Sequence, residues 1–375
     1  MILMAKRKGK SRRRLGDWRE SFVAGESQDA LSDKEKFAPR SVKLPAGRAE
    51  TAAENLDSLP KREGMVIGLF ARGALVESEG QRLLCGIAKT FRASPDTSPL
   101  AVGDEVTVAI TPPRHASGQQ KDMTRADGMI LFRAPRRTAL SRPQPISGKR
   151  QDRYTTEVFE KVLAANMDAI LIVASTRQPP LRHGLIDRLL IIAERGGLQP
   201  VLAINKIDLG DADEQVLEDF AHLNIKIFMV SAATKEGISS LKDALAAKRT
   251  VLAGQSGVGK SSLVNAIVPG AEAATGSVRL KDQRGRHTTS ATKIYHLDGG
   301  MIVDTPGVRE AGINLQASEL PWFFPEFEPF AAQCKFRDCT HTHEPACAVR
   351  QAVEEGLLYS RRYESYLRIL QTLEE

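Results

Sequence analysis

The chain has 375 residues, 42% of them hydrophobic and 26% charged, with a formal net charge of +7. That length suggests two or three domains, and that apolar fraction supports buried cores and excludes wholesale disorder. An aromatic share of 5% argues against a heavily aromatic binding surface, and the positive balance favours a polyanionic partner. No apolar run reaches the ~20 residues that span a bilayer. The start, MILMAKRKGK, has charge where a signal peptide needs an apolar stretch. A cytoplasmic protein with no membrane partner is therefore expected. Its four cysteines are not expected to pair as disulfides.

Residues 1–60 read as a basic extension. Lys6, Arg7, Lys8, Lys10, Arg12, Arg13 and Arg14 form a block without an acidic residue, and Asp17 to Pro60 is polar without periodicity. Disorder is expected there. Residues 61–137 change texture: short β-rich runs such as GMVIGLFARGALVES, QRLLCGIAKTF and VGDEVTVAI alternate with turn signals at Glu79-Gly80, Ser94-Pro95 and Pro112-Pro113. This spacing predicts a small closed barrel of the OB type, with Cys85 a buried apolar residue. Arg133, Arg136, Arg137 and Arg142 at its exit point to RNA.

Residues 150–312 read as α/β. Strands are predicted at Asp168–Ser175, Pro200–Ile204 and Ile225–Val230, and helices at Leu185–Arg195 and Asp213–Leu223. Such alternation implies a parallel sheet covered by helices. Beyond, residues 313–375 carry a Cys/His cluster and a terminal helical stretch, Leu357 to Leu373.

The sharpest motif is Gly254-Gln255-Ser256-Gly257-Val258-Gly259-Lys260-Ser261, a GxxxxGK[ST] pattern between an apolar strand and a helical run that opens at Ser262. Glycines let backbone N–H groups turn inward around phosphate oxygens, and the helix N-terminus adds its positive end. Lys260 is expected to bridge β- and γ-phosphates, and Ser261 to ligate Mg²⁺. Asn205-Lys206-Ile207-Asp208 follows a strand. The Asp208 carboxylate can accept from guanine N1–H and N2–H₂, a pair that adenine lacks. Asn205 would hold neighbouring loops and Lys206 would lie along the ring, while Ser231-Ala232 fits a backbone donor to guanine O6. Asp304-Thr-Pro-Gly307 is a DxxG motif. Asp304 would reach the Mg²⁺ water shell, and the Gly307 N–H the γ-phosphate. In Gly285-Arg-His-Thr-Thr289, either Thr288 or Thr289 could ligate Mg²⁺ while the γ-phosphate is present. An apolar Val308 after Gly307 cannot orient an attacking water; the nearest substitute is His287. Finally, Cys334-x₄-Cys339-x-His341-x₅-Cys347 offers a closed tetrahedral Zn²⁺ shell of structural type, with His343 a rival to His341.

The order is NKxD, SA, P-loop, threonine, DxxG, in place of the ordinary P-loop-first order. Joining the original ends and cutting after DxxG preserves the same sheet, and domain termini often lie close enough to allow it. On NKID, GQSGVGKSS, GRHTT, DTPGVRE and CKFRDCTHTHEPAC, the sequence from about Gly64 onward resembles the RsgA (YjeQ) family of small ribosomal subunit biogenesis GTPases. The resemblance implies a circularly permuted α/β P-loop GTPase with an N-terminal OB-fold β-barrel and a C-terminal α-helical zinc-binding domain. It implies His341 as the fourth zinc ligand and His287 as the water-orienting residue. It also implies GTP hydrolysis to GDP and phosphate, stimulated by the small ribosomal subunit and its rRNA, in a monomer. The alternative is a nucleotide-gated rRNA-binding module in which binding rather than turnover carries the function. A large-subunit permuted GTPase lacks this pairing of barrel and Cys₃His cluster, and a P-loop kinase has no use for NKxD.

Overall fold

The computed structural model describes residues 56, 58–70, 73–92, 97–111, 126–145, 158–210, 218, 220, 222–223, 225–270, 292–305, 308, 313 and 315–374. The basic block, Gly285, His287, Thr288, Thr289, Gly307, the two Pro-containing turns' central residues and most of the expected helix at Asp213–Leu223 lie outside these residues.

Five strands close the barrel: β1 Lys61–Phe70, β2 Gly73–Ser78, β3 Gln81–Ile87, β4 Glu105–Ile110 and β5 Gly128–Arg133, in the order β1-β2-β3-β5-β4. β1 pairs antiparallel with both β2 and β4, which closes the ring, and β3 runs parallel to β5. The alternating runs read from the sequence send Val66, Val76, Cys85, Val106, Val108 and Ile130 inward. Burial pushes the Cys85 thiol up to about 12, with Asp127 adding to it, so the cysteine stays an inert core group. The Glu79-Gly80 turn has φ of 51° and 74°, the primed geometry that matches strand twist.

A two-stranded antiparallel ribbon, β6 Ala139–Pro145 and β7 Val158–Ala165, lies next in the chain. The sequence reading placed no strand in either segment. The barrel is pinned to it. Asp104 is fully buried and receives Arg136 through two bonds, Nε to Oδ1 at 2.7 Å and Nη2 to Oδ2 at 2.8 Å. Ala101 N–H also donates to this carboxylate, so the buried charge is fully hydrogen-bonded. Gly103 has φ +91°, and a Cβ there would meet the Ala165 carbonyl at 2.0 Å; the seam requires glycine.

The central sheet has the order β10-β9-β8-β11-β13-β12. Its strands are β8 Ala169–Ser175, β9 Gln199–Asn205, β10 Lys226–Met229, β11 Arg249–Gly254, β12 Lys293–Leu297 and β13 Gly300–Asp304. All neighbours are parallel except the edge strand β12. Strand β8 is buried along its whole length, as a continuous apolar run on a doubly covered sheet should be. Ile170, Ile172 and Ala174 face helix α1 His183–Arg195, while Leu171 and Val173 face α2 Ile238–Leu245 and α3 Lys260–Ile267. Burying each Leu or Ile contributes about 1.5–3 kcal/mol.

After β13 come short 3₁₀ turns, α4 Ala348–Glu354 and α5 Ser360–Glu374. Leu357, expected to open the terminal helix, is 62% exposed in the turn before it. Leu320, Phe324, Phe327, Tyr366 and Ile369 form a core that Ile191 of α1 enters, so this region packs on the central α/β layer. Arg362 of α5 is buried between Asp187 of α1 and Glu326, its Nε 2.7 Å from Glu326 Oε1 and its Nη1 bonded to Asp187 Oδ1.

Candidate functional site

Parallel strands bring their carboxyl ends to one edge, the usual place for ligands in an open α/β sheet. Here β11 ends at Gly254, β9 at Asn205, β13 at Asp304 and β10 just before Val230-Ser231. The two motifs read far apart in sequence therefore meet.

Asn205 is 1% exposed and staples three loops. Its Nδ2 donates to Val258 O at 2.9 Å, and its Oδ1 accepts from Ala232 N at 3.0 Å. Gly259 sits against it with φ +90°, and a Cβ there would lie 2.4 Å from Asn205 Nδ2. The Lys206 ammonium donates to Gly257 O at 2.8 Å and also to Gln178 O. Ser231 Oγ donates to Asp208 Oδ1 at 2.5 Å, and Thr234 N–H donates back to Ser231 Oγ at 3.0 Å. The Asp208 carboxylate is thus oriented, exposed, and beside the Ser231-Ala232 turn.

In the GxxxxGK[ST] loop, Lys260 is 7% exposed and its Nζ donates to Gly254 O at 2.8 Å and Gln255 O at 2.7 Å. The ammonium is held over the loop it closes. Ser256 and Gly257 are exposed at the loop crown, and Ser261 and Ser262 are exposed on the first turn of α3. Backbone N–H groups at that N-terminus and a buried ammonium make an anion cradle. Asp304 ends β13, half-buried, beside the P-loop strand. Sequence reasoning missed the loop Ser175–Pro180, which touches the NKxD motif through Thr176 and Gln178, both bonded to Lys206. It carries no motif of its own.

A second site lies in the C-terminal region. Donor atoms of Cys334, Cys339, His341 and Cys347 all lie within 4.8 Å of one another. Cys334 Sγ is 4.0 Å from Cys347 Sγ, and His341 Nδ1 is 3.6 Å and 3.5 Å from these two sulfurs. A tetrahedron with metal–S near 2.3 Å and metal–N near 2.0–2.1 Å has edges of about 3.8 Å and 3.6 Å. The spacing therefore fits a tetrahedral ion, and 4.0 Å is far beyond a disulfide. His343, the rival ligand, is exposed and pairs with Thr342 Oγ1 at 2.8 Å. Burial pushes the Cys339 thiol up to about 12, so a cation is needed to hold it as thiolate.

The loop carrying these ligands is itself held. His341 adopts φ 59°, and its carbonyl accepts from Tyr363 OH at 2.7 Å. Tyr366 OH donates to Thr340 O at 2.6 Å. Burial alone would raise the Glu344 carboxyl, but bonds from Thr340 Oγ1 and the backbone N–H groups of Thr340 and Thr342 hold it at about 2.

A family model described as RsgA GTPase matches residues 133–314. The small ribosomal subunit biogenesis GTPase RsgA of Shewanella oneidensis is 37% identical over 324 residues, 84% of this chain and 85% of that protein. The protein of the same name from Yersinia enterocolitica is 35% identical, covering 84% and 86%. Among solved structures, YjeQ from Thermotoga maritima aligns with a TM-score of 0.61 at 33% identity, over 84% of this chain and 99% of that one. YloQ, described as a circularly permuted GTPase, aligns with a TM-score of 0.58 at 25% identity, over 84% and 96%. The permuted order of motifs, the strand ends that reunite them and these likenesses agree: the chain belongs to the RsgA family of GTP-hydrolysing enzymes.

Proposed function

We propose that this protein binds the small ribosomal subunit and its rRNA and hydrolyses GTP to GDP and phosphate during late subunit maturation, with the subunit stimulating turnover. The observation that carries the reading is the convergence of Asp208, oriented by Ser231, and Lys260 on one sheet edge. One end offers a carboxylate for guanine N1–H and N2–H₂; the other offers an ammonium and helix N–H groups for phosphates. Asn205, Lys206, Ser231 and Ala232 shape the base end. Gly254, Gln255, Ser256, Gly257, Val258, Gly259, Ser261 and Ser262 line the phosphate end, with Asp304 and Gly307 sensing the γ-phosphate.

Ser261 and Thr288 would hold Mg²⁺ with GTP, and that ion neutralises charge developing on the phosphates. Val308 is buried and apolar, which supports His287 as the side chain that orients water. Cys334, Cys339, His341 and Cys347 hold Zn²⁺ as a structural ion: three thiolates and an imidazole suit zinc and leave no open position. The division is a 1–60 extension, a 61–137 barrel, a 150–312 GTPase and a 313–375 zinc domain, in a cytoplasmic monomer. No helix among the described residues is long and apolar enough to cross a membrane.

Multiple-turnover GTP hydrolysis with and without purified small ribosomal subunits tests this. Acceleration by the subunit is expected. Nucleotide-dependent subunit binding without accelerated turnover would contradict the reading.

A further inference from the structure

The loop between β8 and α1 carries no nucleotide motif, yet it braces the base-reading turn. Thr176 Oγ1–H donates to the Lys206 carbonyl at 2.9 Å, and Thr176 N–H donates to the Asn205 carbonyl at 3.1 Å. Two successive carbonyls of the NKxD turn therefore accept from one residue, the Lys206 carbonyl also taking the Leu209 N–H at 3.0 Å. Lys206 needs that support: it adopts φ 67° and ψ 34°, a left-handed conformation uncommon for a residue with a Cβ. This turn lets Asn205 face the P-loop while the chain proceeds into Ile207–Leu209 and carries Asp208 to Ser231. The brace is closed at its other side. Lys206 Nζ donates to the carbonyls of Gln178 and Gly257, and Ser175 Oγ donates to Pro179 O at 2.7 Å, folding the loop back on itself. A Cβ on Gly257 would stand 3.4 Å from Pro179 Cδ, so the loop also packs on the P-loop crown.

We infer that Thr176 is a positioning residue for guanine recognition: its hydroxyl fixes the left-handed turn from which Asp208 reaches the base. The inference rests on the proposed base-reading role of Asp208. Valine has the shape of threonine without the donor, so Thr176→Val leaves the Lys206 carbonyl without that bond. A loss of this size corresponds to about a three- to tenfold change in affinity.

The test uses the full chain and two probes, GDP and inosine diphosphate, whose base lacks the exocyclic amino group that Asp208 accepts. The unaltered protein is expected to prefer GDP. In Thr176→Val, GDP affinity falls about three- to tenfold and IDP affinity falls less, so the preference contracts. Thr176→Ser, which keeps the donor, retains the original preference. A Thr176→Val protein that keeps the GDP/IDP ratio, whether both affinities stand or both fall together, overturns the inference. Circular dichroism reports whether the variant folds. Should it not, Ser175→Ala, which removes the bond to Pro179 O, replaces it and is expected to contract the ratio in the same direction; an unchanged ratio there overturns the inference equally. If the unaltered protein shows no preference for GDP over IDP, the base-reading role itself fails and takes this inference with it. A preference present in the unaltered protein and undiminished in the variants removes the inference alone.

Discussion

Replacing Arg362 with methionine probes how the C-terminal region is held to the GTPase layer. The guanidinium side chain is 4% exposed and lies between Asp187 at 1% and Glu326 at 7%. Its carbon Cζ also sits 4.6 Å from the Phe324 ring centroid. Methionine keeps much of the volume and the contact with the ring, so the change isolates the charge. Two carboxylates would be left buried without their cation, and removing one partner of a buried pair costs about 3–5 kcal/mol. With a urea slope of about 1–3 kcal/mol/M, the midpoint should fall by roughly 1 M or more. A second change, Asp187→Asn, removes one orphaned charge and should return about 1–3 kcal/mol of that loss. Urea unfolding followed by circular dichroism measures both, and hydrogen exchange on α1 and α5 localises the effect. A midpoint that moves by less than about 0.3 M, or a double variant less stable than Arg362→Met alone, would refute the electrostatic account of this seam.

Further outcomes follow from the two sites. Purified protein should contain one zinc per chain, and Cys347→Ser or chelation should lower the metal content and raise hydrogen exchange across α4 and across α5, the helix from which Tyr363 and Tyr366 hold the ligand loop. Gly259→Ala should abolish detectable GDP binding in calorimetry, because its Cβ would strike Asn205 Nδ2 at a φ of +90° that already disfavours any side chain. His287→Ala should slow subunit-stimulated turnover by about 10²-fold or more with GDP affinity unchanged, measured by paired kinetics and titration.

What was legible in the sequence was what local physics imposes. The loop 254–261 could be read because its glycines are backbone requirements: Gly254, Gly257 and Gly259 all have positive φ. Strand β8 could be read because a run of six apolar side chains, Ala169 to Ala174, fits a strand buried on both faces. The Cys/His cluster could be read because ligand spacing is local. The missed features are those that depend on distant partners. The ribbon β6–β7 contains two prolines, which local reading counts against a strand, yet it survives at a two-stranded edge. Thr176 meets carbonyls at Asn205 and Lys206, some thirty positions away, and leaves no pattern. Arg362 and Asp187 are separated by 175 positions, so neither reads as buried until the helices pack. The Asp208–Ser231 bond is intermediate: each motif was visible, and only the fold shows that one hydroxyl aims the other's carboxylate.

The central claim is that the Asp208 carboxylate reads the base of the nucleotide whose phosphates Lys260 holds. Xanthine presents a carbonyl where guanine presents its exocyclic amine, so an amide in place of the carboxylate should invert the match. Isothermal titration of Asp208→Asn with GDP and xanthosine diphosphate is the most direct measurement. The account predicts that GDP affinity falls by roughly 10²-fold or more while xanthosine diphosphate binds better than to the unaltered protein. Undiminished GDP binding by Asp208→Asn, or unaltered protein that binds ADP as tightly as GDP, would contradict it.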